Sequence, residues 1–106
     1  MHYGYTPRRI SPRQAQSLMQ QKCIILDVRS PQEYSTGHIP GAVCLPENEI
    51  HTRASRILPD KNALILVYCK GGSRSKKAAD ALAAMGYTNV YDFGGINSWP
   101  YEIEQH

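Results

Sequence analysis

Ala63-Leu64-Ile65-Leu66-Val67-Tyr68-Cys69-Lys70-Gly71-Gly72-Ser73-Arg74-Ser75-Lys76-Lys77 changes character twice in a short span. Ala63 to Tyr68 is apolar without polar alternation, the pattern of a strand covered on both faces. Gly71 and Gly72 then break the pattern, and a helix is expected from about Arg74 to Met85, closed by Gly86. Its apolar face, Ala78, Ala79, Leu82, Ala83 and Met85, is small enough to lie close against a sheet. Strand, tight loop and returning helix make the central unit of a parallel α/β sheet.

The flanking segments extend the alternation. Ser11-Pro12 reads as a capped helix start leading through Arg13 to Gln20, and Cys23 to Leu26 as a buried strand ended by Asp27. Pro31 to Ser35 is a short helical turn capped by Ser30 and stopped at Gly37; Ala42 to Leu45 is a strand closed by Pro46. A weaker helix is expected over Glu47 to Ile57, stopped at Pro59. Val90 to Asp92 is the last strand, with Gly94-Gly95 opening a terminal helix that contains Trp99. The expected fold class is α/β, a mostly parallel sheet with helices on both faces. The 106 residues suit one domain, with a core from about 10 to 104 and an N-terminal arm over 1–9.

A hydrophobic fraction of 42% and a charged fraction of 20% are ordinary for a globular chain. The net charge of +3 is spread over Arg8/Arg9/Arg13, Arg53/Arg56 and Lys70/Arg74/Lys76/Lys77. No basic stripe interleaved with aromatics is present, so no nucleic-acid partner is expected. No apolar run is long enough for a membrane span, and Met1 to Tyr5 lacks the apolar core of a signal peptide. Cys23, Cys44 and Cys69 are odd in number and lack metal-ligand spacing, which fits reduced thiols of a cytoplasmic protein. The four histidines are dispersed, and no metal is expected.

Cys69 ends the central strand, at the edge where parallel sheets place their sites. Gly71 and Gly72 let successive backbone N–H groups turn toward one spot, and the next helix aims its positive end there. Lys70 and Arg74 add full charges, and all these terms favour a thiolate. An ordinary helix start prefers acids, whereas this one begins Arg74-Ser75-Lys76-Lys77 against its own dipole. A local rule broken beside a candidate nucleophile points to function. Cys23 and Cys44, inside apolar strands, read instead as buried structural cysteines.

Cys69-Lys70-Gly71-Gly72-Ser73-Arg74-Ser75 resembles the active-site loop of bacterial rhodaneses, Cys-x-x-Gly-x-Arg-Ser. Asp27 to Tyr34 with Gly37 to Ala42, and Asp92 to Trp99, are similar to two further segments of that family in the same order. The resemblance runs from about Ile10 onward. It implies a single rhodanese-like domain with a five-stranded sheet. It also implies a sulfurtransferase whose Cys69 takes sulfur from a small anionic donor such as thiosulfate, as a persulfide. A thiophile, either cyanide, a thiol or a sulfur-accepting protein, then removes it, with no organic cofactor. In that scheme the loop N–H groups stabilise the persulfide, Lys70 and Arg74 draw in the donor, and Ser73 or Ser75 hydrogen-bonds the sulfur or caps the helix. Asp27 either faces the catalytic edge or braces the loop, and Arg29 is expected to pair with Glu33 across one turn. His38 is expected to be structural, bonded through its ring, and Trp99 to pack the terminal helix onto the sheet.

Three rivals stand beside this reading. Cysteine phosphatases and arsenate reductases also use a Cys loop ending in Arg, but theirs is one residue longer than Lys70–Ser73. A non-catalytic recruiting module would not need the cysteine with its glycines and cations. A persulfide carrier serving a protein partner needs the same residues as small-molecule transfer.

Overall fold

A computed structural model describes residues 6–105; the segment Met1–Tyr5, read above for signal character, lies outside them. Five strands form one sheet: β1 (Arg8–Arg9), β2 (Ile24–Asp27), β3 (Val43–Cys44), β4 (Ile65–Cys69) and β5 (Val90–Gly95). The order is β1-β5-β4-β2-β3 and every pairing is parallel, so β4 lies at the centre. The helices are α1 (Pro12–Leu18), α2 (Pro31–Thr36), α3 (Ile50–Ile57) and α4 (Ser73–Ala84).

Alternation along β4 divides the core. Ile65, Val67 and Cys69 join Leu26, Val90 and the inner residues of α3 and α4, namely Ile50, Ala54, Ala78, Ala79 and Leu82. Leu66 and Tyr68 face the other way, onto Ala15 of α1, Ile39, Ala42 and Phe93. All five β4 residues are buried, as expected for a strand sandwiched between two helical layers. The alanines of α4 bring its axis close to the sheet, so its N-terminus starts directly above the end of β4.

Ser11 and Ser30 both cap as expected, each in a reciprocal box with the residue three positions on, Gln14 or Glu33. Three expectations need correction. The helix expected over Glu47 to Ile57 starts as a 3-10 turn at Glu47–Glu49 and becomes α-helical only from Ile50. The terminal helix is one 3-10 turn, Ile96–Ser98, with Trp99 just beyond it against Phe93, because β5 runs on to Gly95 and Pro100 follows closely. Within the arm expected over residues 1–9, Arg8 and Arg9 are an edge strand in register with Tyr91 and Asp92.

Candidate active site

The loop after β4 curls as its glycines allow. Gly72 has φ +115°, in the left-handed region, and its N–H donates to Cys69 Sγ at 3.0 Å. Cys69 is almost fully buried, 1% exposed, at the carboxyl end of β4. The α4 start has neither a side-chain cap nor an acid in its first turn, which leaves its backbone donors for the sulfur side. Gly95 closes the other wall: it pairs with Cys69, and a β-carbon there would overlap the Lys70 carbonyl. The Asn97 N–H donates to that carbonyl at 3.1 Å, tying the Lys70 peptide to the turn after β5.

The other expected site residues fall into two groups. Lys70, Gly71 and Ser73 are exposed around the loop mouth, and among the described residues the Lys70 ammonium has no ion-pair partner. Ser75 is buried and donates to the Gly72 and Gly94 carbonyls at 3.0 and 3.3 Å, so its hydroxyl braces the loop. Arg74 forms a fork with Glu33, Nη1 to Oε1 at 2.7 Å and Nη2 to Oε2 at 3.0 Å. Its charge is therefore engaged, and it locks α2 to the start of α4. The expected Arg29–Glu33 pair does not form, because Arg29 turns inward to Asp27, Nη2 to Oδ2 at 2.7 Å.

Asp27 and Arg29 brace the site from the face opposite Cys69. Asp27 also accepts from the Tyr68 hydroxyl at 2.7 Å, and that oxygen accepts from the Ile39 N–H at 3.1 Å. Arg29 Nη2 reaches the Gly37 carbonyl at 2.7 Å. Burial first, then the bond to Asp27, pushes the Tyr68 phenol far above its ordinary range, so it stays a donor. His38 stacks on Tyr34 with centroids 3.8 Å apart, and its Nδ1 lies 3.0 Å from the Tyr34 carbonyl, a structural role as expected.

Sequence reasoning missed the contacts of Arg9 with Asp92 and Gly72 and the true partner of Glu33. Arg9 donates from Nε to Asp92 Oδ2 at 2.9 Å and from Nη2 to the Gly72 carbonyl at 2.8 Å. These three contacts span 41 to 83 residues, beyond any local pattern. A cavity of about 280 Å³ beside Arg74, lined by Ser30, Pro31, Glu47 and Glu49, does not include Cys69 among its walls.

The Arg74 hydrogen bonds are the main reason the Glu33 carboxyl is lowered from 4.5 to about 2. Because the folded value is depressed, the pair's stabilisation is complete above the unfolded value near 4.5. It is lost as pH falls through the folded value near 2. Urea unfolding of the parent and Glu33→Gln should therefore show a constant stability gap above about pH 5 that shrinks toward about pH 2. A gap that is flat across that range would show that the carboxylate form is not what holds α2 to α4.

Fold and loop together define a class: a parallel α/β domain whose central strand delivers a cysteine to backbone donors at the start of the following helix. The pattern of the rhodanese-like domain matches residues 11–101. The thiosulfate sulfurtransferase PspE of Escherichia coli (strain K12) is 41% identical over 71 residues, which cover 67% of this chain and 68% of that protein. The thiosulfate sulfurtransferase GlpE of Ectopseudomonas mendocina (strain ymp) is 37% identical over 93 residues, covering 87% and 84%. A solved structure of a rhodanese with anions from E. coli superposes with a TM-score of 0.75 at 34% identity, covering 80% of this chain and all of that one. The chain belongs to the rhodanese-like domain family.

Proposed function

We propose that this protein is a sulfurtransferase of the thiosulfate sulfurtransferase type, with Cys69 as the sulfur carrier. The observation that carries the reading is the Gly72 N–H on Cys69 Sγ at the carboxyl end of β4, in a chain similar along most of its length to proteins of that name. In the first step the Cys69 thiolate attacks the outer sulfur of thiosulfate. A sulfur–sulfur bond forms to Cys69, the bond to the sulfonate sulfur breaks, and sulfite leaves with the electron pair. In the second, cyanide carbon or an acceptor thiolate attacks the outer persulfide sulfur, and Cys69 departs as thiolate. Negative charge rests on sulfur in both steps, and the loop N–H groups are fixed in advance to receive it.

Mass spectrometry of the intact protein after thiosulfate should show one added sulfur atom, removed by cyanide. Hydrolysis of an aryl phosphate that depends on Cys69, with no sulfur adduct, would overturn the reading in favour of phosphoryl chemistry.

Lys70 is exposed beside the loop, has no ion-pair partner among the described residues, and is assigned to donor attraction. Because it is exposed and screened, Lys70→Ala should raise KM for thiosulfate only about two- to fivefold at low salt, with kcat little changed. The difference should fade as ionic strength rises. An unchanged KM at low salt would leave donor attraction to the backbone donors alone.

A further inference from the structure

We propose that Arg9, from the two-residue edge strand β1, is a positioning residue for sulfur transfer: it sets the direction of the loop N–H groups without touching the substrate. This rests on the sulfurtransferase reading above. Gly72 has φ +115° and ψ −13°. With ψ near zero, the nitrogens of Gly72 and Ser73 lie on the same side of the chain, and the Gly72 carbonyl lies on the other. The Gly72 nitrogen already points at Cys69 Sγ. Holding the carbonyl outward therefore holds both N–H groups toward the sulfur, as a left-handed then right-handed pair of residues makes an anion nest.

That carbonyl is held by three donors: Arg9 Nη2 at 2.8 Å, Ser75 Oγ at 3.0 Å and the Lys76 N–H at 3.3 Å. Ser75 and Lys76 belong to the helix itself and move with it. Arg9 comes from a separate strand and ties the peptide to the sheet. Its guanidinium is aimed by Asp92, 4% exposed, whose Oδ2 accepts from Nε at 2.9 Å while Oδ1 accepts from the Gly94 N–H at 2.9 Å. It packs tightly over Gly72 and makes ordinary contact at Gly94. A β-carbon on Gly72 would lie 3.2 Å from both terminal nitrogens, and one on Gly94 3.5 Å from Nη1. The charge on Arg9 also polarises the Gly72–Ser73 peptide, strengthening the donor on its far side.

The test is single-turnover persulfide formation and steady-state kinetics with thiosulfate and cyanide for Arg9→Gln and Arg9→Lys. Arg8→Gln, on the same exposed strand, serves as control. Arg9→Gln should slow persulfide formation and kcat about tenfold, below the loss seen when an oxyanion donor is deleted outright, with KM for thiosulfate nearly unchanged. Arg9→Lys should recover part of the rate, because a single ammonium cannot bridge Asp92 and Gly72 as the fork does. Asp92→Asn, which loosens the aim of Arg9 without removing it, should show a smaller fall of the same kind and supplies the answer if Arg9→Gln does not fold. A rise in KM at constant kcat would make Arg9 a donor-attracting charge and overturn the proposal. So would a lower melting temperature with an unchanged rate per folded molecule. A parent protein that forms no persulfide would instead overturn the sulfurtransferase reading.

Discussion

Cys69→Ser should fold like the parent and lose thiocyanate production from thiosulfate and cyanide by about 10⁴-fold or more. A serine oxygen cannot accept and release a sulfane sulfur, so no covalent route remains, and deleting a nucleophile removes a step, not a contact. The fold should survive because Cys69 contributes a small side chain at the end of β4, whose other four residues supply the packing. Cys23→Ser and Cys44→Ser should keep most of the activity. Burial pushes both of these thiols up, away from the reactive thiolate, and among the described residues neither receives a backbone donor. Cys44 Sγ instead faces the Arg29 carbonyl, at 3.8 Å. Cys23 lies just before β2, at the amino-terminal end of the strands, whereas Cys69 is at the carboxyl end of the neighbouring β4. The assay of all three variants decides the point: full activity in Cys69→Ser would remove the basis of the proposed mechanism.

The readable part of this protein is its contiguous part. β4, the glycine loop and α4 form one uninterrupted run in which hydrophobic pattern, turn residues and small-residue face agree, and they fold as expected within two residues at each end. The serine caps at Ser11 and Ser30 were legible for the same reason, since each is satisfied three residues away. What was not legible is held by contacts distant in sequence. Two residues cannot show a period, so β1 reads as an arm in the sequence, and only its pairing with β5 makes it a strand. Gly94-Gly95 looked like a helix start because glycines punctuate chains, yet both belong to β5. Gly95 stays in the strand because the Lys70 carbonyl crosses where its side chain would be. Spacing alone pairs Glu33 with the nearer arginine, Arg29. In the fold Arg29 is drawn inward to the fully buried Asp27, and Arg74 comes from 41 positions away to take its place.

That inward pair sets the second large effect. Asp27 is fully buried and receives the Arg29 N–H, the Arg29 guanidinium and the Tyr68 hydroxyl, while Arg29 is only 5% exposed. Asp27→Ala would strand the buried guanidinium, and removing one partner of such a pair costs about 3–5 kcal/mol. Tyr68→Phe should cost less, about 1–3 kcal/mol, because it leaves one buried Ile39 N–H without an acceptor. The double variant Asp27→Leu/Arg29→Met should recover much of the loss, since no unpaired charge is then left in the core. Catalysis should respond as well. Tyr68 immediately precedes Cys69, and the Arg29 contact with the Gly37 carbonyl steadies the segment that carries Ile39. Urea unfolding at neutral pH measures the three stabilities, and persulfide formation in each folded variant measures the consequence at the loop. A loss under about 1 kcal/mol for Asp27→Ala would mean that water enters and solvates Arg29, and the pair would then be dispensable to the fold. A double variant as unstable as Asp27→Ala would instead show that the hydrogen bonds themselves, to Tyr68 and to the Arg29 backbone, and not the relief of a stranded charge, bind β2 to β4.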